Sequence, residues 1–196
     1  HTGSLAGSDV AFSAAFKKAG ILRVNTLEEL FDLVLSFEEQ PLPKGKRVLI
    51  VTNGGGPGIL TADACEKNGL SLPLLEPSIR EELRKSLPPH ASVNNPVDVL
   101  GDADENRYRI AVDAGLRSSR VDGIIVILTP QAMTPVKRIA QSIVKLRERS
   151  DKPIIAAFLG LGENSPAIKI LQEKGIPNYD FPEATAYVLS RMYEYK

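Results

Sequence analysis

The sequence predicts an α/β protein: a doubly wound, flavodoxin-like and mostly parallel sheet, preceded by the tail of a second α/β domain. Short apolar strands alternate with amphipathic helices from residue 47 to the end of the chain. Strands joined through helices run parallel, and their continuous hydrophobic runs indicate that helices cover both faces of the sheet. Because parallel crossovers are almost always right-handed, a doubly wound sheet is the most economical topology.

The composition fits such a globular protein and excludes several classes. Of the 196 residues 43% are hydrophobic and 24% are charged, and 24 basic residues balance 24 acidic ones. We therefore expect no nucleic-acid partner, which would favour a basic excess on one face. Cys65 is the single cysteine, so no internal disulfide forms and a reducing, cytoplasmic location is predicted. No apolar run reaches the roughly 18–20 residues of a membrane span, and no signal-peptide pattern is present.

Residues 1–40 predict two helices around a short strand. The first helix covers about 8–20, where Gly20 can end it, and Ile21–Val24 is the strand. A capping box of Thr26 and Glu29 opens the second helix. The apolar stripe of this helix contains Leu27, Leu30, Phe31, Val34 and Leu35. Such a small set of elements cannot bury its own stripes, so it is either the tail of another domain or packed on the rest of the chain.

Residues 41–46 read as a Pro/Gly/Lys linker, and residues 47–196 as the flavodoxin-like domain. Its predicted strands are Arg47–Thr52, Leu70–Leu74, Pro96–Leu100, Gly123–Leu128, Pro153–Leu159 and Ile176–Tyr179. Its predicted helices run from the glycine loop to Gly69 and over Pro77–Leu87, Asp104–Leu116, Thr134–Arg149, Pro166–Lys174 and Pro182–Tyr195.

The loop Asn53–Gly58 follows a strand and precedes a helix, with Pro57 expected at the first helical position. In an open parallel sheet, ligands bind beyond the carboxyl ends of the strands. Glycines there let an anion approach backbone N–H groups and the positive end of the helix dipole. A tight turn without a ligand explains the same residues equally well. The candidate phosphate- or substrate-binding residues are Asn53, Gly54, Gly55, Gly56 and Gly58.

Two further loops lie at the same predicted sheet edge. In Thr129–Pro135, Thr134 is expected to cap a helix that has Pro135 as its first residue, which brings a second helix N-terminus to this edge. Simple capping explains that pattern as well as ligand binding does. Asp98 lies in an otherwise apolar strand, where an unpaired carboxylate is costly; it is either a site residue or a cap for nearby backbone N–H groups. The candidates of the Thr129 loop are Thr129, Gln131 and Ala132.

His1 opens the chain in the run His-Thr-Gly-Ser-Leu-Ala-Gly-Ser. From the residues alone, a terminal histidine is typically a surface side chain or the remnant of a purification tag. No set of His, Cys, Asp and Glu residues has metal-ligand spacing, so no metal site is predicted.

Four segments carry a resemblance along nearly the whole chain: HTGSLAGSDVAFSAAFKKAGILRV, TNGGGPGILTADACEKNG, NNPVDVLGDADENRY and DGIIVILTPQAMTP. In order and spacing they resemble the alpha chain of ADP-forming acetyl-CoA synthetases and the related succinyl-CoA synthetase. The resemblance implies part of an acid–thiol ligase that makes acyl-CoA and NDP plus phosphate from an acid, CoA and NTP. In that family phosphate and acyl-CoA give an acyl phosphate, a histidine takes the phosphoryl group, and an ATP-grasp domain passes it to ADP or GDP.

The resemblance also implies roles for particular residues. His1 falls on the family's phosphorylated histidine, so residues 1–40 become the end of the phosphohistidine-bearing domain. The family holds the phosphohistidine between two helix N-termini, one of which follows Thr129–Met133 here. Succinyl-CoA synthetase has a glycine pair at that place, so either backbone N–H groups or the Thr129 and Gln131 side chains meet the phosphate. The Asn53–Gly58 loop would border the acid or acyl-phosphate site.

Partners and cofactors follow from the same resemblance. Coenzyme A and the nucleotide with its Mg²⁺ would be bound by parts that this chain lacks, namely an upstream CoA-binding domain and an ATP-grasp domain or subunit. The substrate would be a small carboxylic acid or its acyl phosphate, and the fragment alone would be inactive. Two alternatives stay open: a non-catalytic regulatory module of an acetyltransferase fusion, and a flavin-binding domain, for which 6% aromatic residues leave few stacking partners.

Overall fold

The computed structural model describes residues 9–195, and these form the predicted α/β architecture. Within them the sheet strands are β1 (Val48–Thr52), β2 (Val97–Asp98), β3 (Gly123–Leu128) and β4 (Ile154–Phe158). All pairings between them are parallel, and the order across the sheet is β2-β1-β3-β4. The first strand is therefore interior and the sheet grows to both sides of it, as in flavodoxin-like folds. The predicted fold class is confirmed.

Eight helices lie within the described residues. They are α1 (Asp9–Lys18), α2 (Leu27–Glu39), α3 (Gly55–Lys67), α4 (Pro77–Ser86), α5 (Glu105–Arg117), α6 (Val136–Arg147), α7 (Pro166–Gln172) and α8 (Pro182–Glu194). The predicted bounds from α4 onward agree closely with these. Pro57 is the third residue of α3 and not the first as predicted, because the helix already begins at Gly55.

Two hydrophobic clusters lie on opposite faces of the sheet, which explains the continuous apolar runs in the strands. Every residue of β1, β3 and β4 is buried. Leu49 and Val51 join the cluster that α4 to α7 cover, whereas Val48 and Ile50 join the one that α2, α3 and α8 cover. This two-residue alternation is the ordinary strand period, and here both sides face a helix layer.

Asn95 completes the edge of β1 between two short pairings. Ser71 forms one parallel bridge near the start of that strand, and β2 pairs only with its end. Between them the Asn95 Oδ1 accepts a hydrogen bond from the Ile50 N–H at 3.1 Å. Its Nδ2 donates to the carbonyls of Val48 at 2.7 Å and Pro73 at 3.1 Å. A side-chain amide thus satisfies backbone groups that a longer strand would otherwise pair.

Four predicted strands are wrong in extent. Pro96–Leu100 is reduced to the two residues of β2. Leu70–Leu74 is reduced to the bridge at Ser71, and Ile176–Tyr179 to one bridge between Asn178 and β4. Ile21–Val24 has no regular secondary structure. A strand needs a partner ladder, and in the described part of the chain none runs beside Ile21–Val24.

Helix α2 begins at the predicted Thr26 cap, but the Glu29 side chain binds the N–H before the N-cap and not that of Thr26 itself. Thr26 Oγ1 accepts from the Glu29 N–H at 3.1 Å, and the Glu29 carboxylate accepts from the Asn25 N–H at 2.7 Å. The five residues of its predicted apolar stripe are 36–72% exposed. Leu33 and Ser36, on another face, are the buried residues. The rest of the described chain therefore covers this stripe only in part.

Tyr179 fixes the buried face of α2. Its hydroxyl donates to the Asp32 carbonyl at 2.7 Å and lies 2.7 Å from the Ser36 hydroxyl. Beside this contact the carboxylates of four residues help to line a cavity of about 230 Å³: Glu28, Asp32, Glu163 and Asp180. Burial first, and then repulsion from neighbouring carboxylates on α2 and at Asp180, raises the pKa of Asp32 to about 6.

Asp32→Asn should stabilise the protein above pH 6 and change its stability little near pH 4. The folded-state pKa of Asp32 lies above the usual 3.8, so the folded protein holds this proton more tightly than the unfolded chain does. Protonation of Asp32 makes its full contribution to the free energy of unfolding below about pH 4, and this contribution is lost as the pH rises through 6. We expect urea unfolding near pH 7.5 to show a gain of about 1–2 kcal/mol for Asp32→Asn.

The control for this prediction is Asp63→Asn, at an exposed position of α3. It should show no comparable gain at either pH. An equal gain in both variants, or a gain for Asp32→Asn that is as large near pH 4 as near pH 7.5, would contradict the assignment.

Candidate functional site

The candidate site lies where β1 and β3 end side by side. Because the strands are parallel, the loops that follow β1, β2 and β3 leave the sheet at the same edge. The chain reaches one side of β1 through β2 and the other side through β3, so the gap between β1 and β3 is the topological switch point. Ligands of open α/β sheets bind in the crevice at this point.

Asn53 joins the two loops that flank this gap. Its side-chain Nδ2 donates to the Thr129 carbonyl at 2.9 Å, and its Oδ1 accepts from the Thr129 N–H at 2.7 Å. The residue is 4% exposed. The amide of Asn53 therefore continues the pairing of β1 with β3 for one further step, although sequence reasoning predicted a phosphate-binding role for it.

Gly54 also faces the protein and not the crevice. Its N–H donates to the Thr52 hydroxyl at 3.0 Å, and the same hydroxyl donates to the Gly54 carbonyl at 2.9 Å. A Cβ at Gly54 would lie 3.0 Å from Thr129 Oγ1. A side chain at this position would crowd Thr129, so glycine favours the close approach of the two loops.

Gly55 and Gly56 are the exposed donors at the start of α3. Both residues are exposed, and helix geometry leaves the first N–H groups without an intrahelical partner. Pro57 contributes no N–H. Within the described residues no side chain caps this helix. Of the predicted glycines, these two contribute exposed residues with N–H groups to the start of the helix.

Gly58 has a packing role beneath the loop. It is buried, and a Cβ at this position would lie 2.9 Å from Thr52 Cγ2. A Cβ at Gly56 would meet no atom within 4 Å. Gly58 therefore allows α3 to lie close to β1, whereas Gly56 borders open space.

Asp98 lies beside the opening of α3. One of its carboxylate oxygens is 4.0 Å from where a Cβ of Gly55 would be. The other accepts from the Leu100 N–H at 2.9 Å, which agrees with the capping alternative. Leu100 has φ 73°, a left-handed conformation that is costly for leucine. The carboxylate thus holds a strained turn and places a negative charge near the positive end of α3.

The second loop is arranged differently from its prediction. Thr134 does not cap α6, because its hydroxyl accepts from the Gln131 N–H at 2.8 Å and its own N–H donates to the Gln131 carbonyl at 3.0 Å. Pro135 occupies the N-cap position, and no side chain among residues 9–195 caps the helix. Gln131 and Ala132 are exposed on this turn. A second uncapped helix N-terminus therefore follows the loop that Asn53 holds.

Thr129 contributes a buried side-chain oxygen to the site. Its Oγ1 is buried and has no hydrogen-bond partner within residues 9–195. A buried hydroxyl of this kind has the capacity for a further hydrogen bond. Helices α4, α7 and α8 also lack a side-chain cap. What distinguishes α3 and α6 is that their openings follow β1 and β3 at the switch point.

Tyr108 supports the site from below and was missed by sequence reasoning. It is fully buried, and its hydroxyl donates to the Ile127 carbonyl at 2.9 Å. Burial, with a smaller contribution from the Asp98 charge, raises the pKa of Tyr108 well above its usual value. The phenol therefore stays protonated and ties α5 to the end of β3. Its signal in the sequence was an aromatic residue within the apolar face of α5.

The predicted nucleophile, His1, lies outside the described residues, so its geometry is not part of this site. Among residues 9–195 no group of three or more His, Cys, Asp and Glu side chains is arranged to hold a metal ion. In the same part of the chain, no helix has the length and apolar character that spanning a bilayer requires.

The fold and the site together define a doubly wound α/β domain with a candidate anion site at its switch point. Comparison with known proteins identifies the family. The profile described as the Ligase-CoA domain matches residues 48–196, so the chain belongs to that family. A separate profile, described as a succinyl-CoA ligase like flavodoxin domain, matches residues 1–37.

Individual relatives agree with this membership. The chain is 43% identical over 196 residues to the alpha subunit of ADP-forming acetate–CoA ligase II from Pyrococcus furiosus, covering 96% of this chain and 43% of that protein. It is 37% identical over 192 residues to the ADP-forming 4-hydroxybutyrate–CoA ligase of Nitrosopumilus maritimus, covering 98% and 27%. The resemblance to ADP-forming acetyl-CoA synthetases is thereby confirmed.

A solved structure extends the likeness to the fold. Acetyl-coenzyme A synthetase 1 of Ca. Korarchaeum cryptofilum, described as dinucleotide forming and in complex with phosphate and ADP, matches with a TM-score of 0.91 and 34% identity. The match covers 100% of this chain and 42% of that one. The chain thus spans less than half the length of each of these proteins.

Gly58→Ala should destabilise the protein, because the added methyl group meets Thr52 Cγ2 at 2.9 Å. Overpacking of this kind costs about 1–3 kcal/mol. The control is Gly56→Ala in the same helix, where nothing lies within 4 Å. That change should leave stability equal or raise it by up to about 1 kcal/mol, since alanine favours helix over glycine. Thermal unfolding of the two variants measures the difference, and equal losses in both would refute the distinct roles.

Proposed function

We propose that this chain is the carboxy-terminal part of the alpha chain of an NDP-forming acyl-CoA synthetase. The whole enzyme would convert an acid, CoA and NTP into acyl-CoA, NDP and phosphate. The observation that carries the proposal is the pair of uncapped helices, α3 and α6, whose preceding loops Asn53 joins at the switch point of a Ligase-CoA domain. A helix N-terminus stabilises an anion by about 0.3–1 kcal/mol when exposed and by up to ~2 when partly buried. Two of them suit a phosphoryl group.

The reaction would proceed through two intermediates. Phosphate attacks the thioester carbonyl of acyl-CoA, the C–S bond breaks, and acyl phosphate and CoA form. A nitrogen of His1 then attacks phosphorus, the P–O bond to the acyl group breaks, and the acid leaves as a carboxylate. A terminal oxygen of NDP finally attacks phosphorus, the P–N bond breaks, and NTP forms. Each step reverses in the direction of acyl-CoA synthesis.

His1 suits this role chemically. An imidazole has an ordinary pKa of about 6.5, so near pH 7 much of it is neutral and nucleophilic. A covalent phosphohistidine divides one difficult transfer into two easier ones. The His-Thr-Gly run that begins the chain is the feature that supports its choice as nucleophile.

The phosphoryl group would be held by main-chain donors from both loops. Gly55 and Gly56 would donate from α3, and the turn of Gln131 and Ala132 from the α6 side. The Thr129 hydroxyl, buried and without a partner among the described residues, would supply a further hydrogen bond. Asp98 would act on the site through the Leu100 turn, since its carboxylate repels a phosphate directly.

The chain would consist of two parts. Residues 1–40 would end the phosphohistidine-bearing domain, residues 41–46 would be the linker, and residues 47–196 would form the Ligase-CoA domain. Separate profiles that match residues 1–37 and 48–196 support this division. So does the exposed apolar stripe of α2, which needs a neighbour to cover it.

Other parts of the enzyme would complete the reaction. CoA and the nucleotide with Mg²⁺ would be bound by an upstream CoA-binding domain and an ATP-grasp domain or subunit, in a cytoplasmic enzyme. Relatives named for acetate and for 4-hydroxybutyrate fit a small carboxylic acid as substrate without selecting one. The isolated chain would be inactive.

The decisive test is phosphoryl labelling of the complete synthetase that contains this chain. Incubation with ³²P-phosphate and acyl-CoA should give an acid-labile, base-stable label on the wild-type protein, and His1→Asn should abolish it. His90→Asn is the matched control, because His90 is the other histidine of the chain and is exposed in the loop after α4. It should label like wild type. A wild-type protein without label would favour the regulatory-module alternative, and a label that survives His1→Asn would refute the assignment of the nucleophile.

A further inference from the structure

The two loops of the candidate site are joined by a single side chain. The Asn53 amide uses one donor and one acceptor on the Thr129 backbone, at 2.9 and 2.7 Å. Asn53 is the first residue after β1, and Thr129 is the first after β3. Each of these strands leads into the loop that opens one uncapped helix. This pair of hydrogen bonds therefore contributes, with the β1–β3 ladder, to the separation of the two openings.

Asn53 is poorly placed to bind a ligand itself. It is 4% exposed, and both polar atoms of its amide are engaged with Thr129. Glutamine would be one methylene too long for the same two bonds, and aspartate would lack the donor. The geometry needs an asparagine even though the side chain does not face the crevice.

Asn95 shows what a purely structural asparagine does in this fold. Its amide also binds backbone groups of neighbouring segments, accepting from Ile50 and donating to Val48 and Pro73. It lies at the outer edge of β1 and touches neither of the two loops. Both side-chain amides thus bind backbone groups next to β1, but only the amide of Asn53 binds a loop of the candidate site.

We infer that Asn53 is a positioning residue for phosphoryl transfer, which sets the distance between the α3 and α6 openings without touching the phosphoryl group. The inference rests on the proposed function. Without the Asn53 amide, the Thr129 N–H and carbonyl lose their partners, and the loop before α6 is free to shift relative to Gly55 and Gly56. Transfer between a histidine and an acyl phosphate needs donors that are already in place. A displacement of about 1 Å can reduce a rate on the order of 10²-fold.

The effect should fall on the transfer step and not on binding of the other substrates. CoA and the nucleotide are assigned to other domains, so their KM values should stay unchanged. The rate of histidine phosphorylation should fall, and kcat should fall with it. A general loss of stability would not lower the phosphorylation rate and kcat while leaving the KM values for CoA and the nucleotide unchanged.

The experiment compares Asn53→Ala with Asn95→Ala in the complete synthetase. Both variants remove backbone partners beside β1, so both should lower the unfolding temperature. At a temperature well below both unfolding transitions, rapid-quench labelling with ³²P-phosphate and acyl-CoA gives the rate of histidine phosphorylation. We expect a fall on the order of 10²-fold for Asn53→Ala, a wild-type rate for Asn95→Ala, and an unchanged KM for CoA in both.

If Asn53→Ala does not fold, Asn53→Asp replaces it in the same rate measurement. It keeps the side-chain shape and the acceptor for the Thr129 N–H but loses the donor to the Thr129 carbonyl, and its phosphorylation rate should fall as well. Equal rates for the Asn53 and Asn95 variants would refute the positioning role while the wild-type label still supports the proposed function. A wild-type protein that takes no label would overturn both.

Discussion

The parallel pairing of β1 with β3 is the interaction on which the rest of the site depends. Its register runs from Val48 opposite Gly123 to Thr52 opposite Ile127, and all of these residues are buried. Since both strands end together, the loops after them start at the same height on the sheet. The Asn53 amide extends the pairing to Thr129, and the two helix openings inherit their relative position from the sheet. Tyr108 strengthens the same region through the Ile127 carbonyl.

Stability and anion binding make opposite demands on these helices. A side-chain cap is worth about 1 kcal/mol to a helix, and α2 and α5 have one. Helices α3 and α6 have none among the described residues, a feature that they share with α4, α7 and α8. Their first N–H groups thus stay available, and close packing at Gly58 holds α3 against β1 without a cap. The nearby Asp98 carboxylate offsets part of the positive end of α3 while it holds the strained Leu100 turn.

The segment before the linker is attached to the sheet domain through both apolar and polar contacts, and Leu33 and Phe37 pack in or against the cluster that α8 covers. Tyr179 binds the Asp32 carbonyl, and Tyr187 donates to the Glu29 carboxylate at 3.0 Å. The described chain covers the apolar stripe of this segment only in part. A segment with this pattern has its larger hydrophobic contact elsewhere, which agrees with its match to a separate domain profile. Beside this contact, burial and the neighbouring carboxylates raise the pKa of Asp32.

The sequence alone determined the fold class, the strands β1, β3 and β4, and the helices from α4 onward, because hydrophobic period and Gly/Pro signals are local. It also identified the three loops of the site and, through four motifs, the family.

Only the tertiary structure decided what each candidate does. The sequence predicts that Asn53 in the glycine loop binds phosphate, yet its side chain binds the backbone of Thr129, 76 positions away. The sequence predicts that Thr134 caps α6, yet its hydroxyl accepts a hydrogen bond from the Gln131 N–H within the preceding turn. The strands predicted at Leu70–Leu74 and Ile176–Tyr179 shrink to single bridges. Local patterns specify which groups need a partner, whereas the choice of partner depends on contacts between segments far apart in the chain.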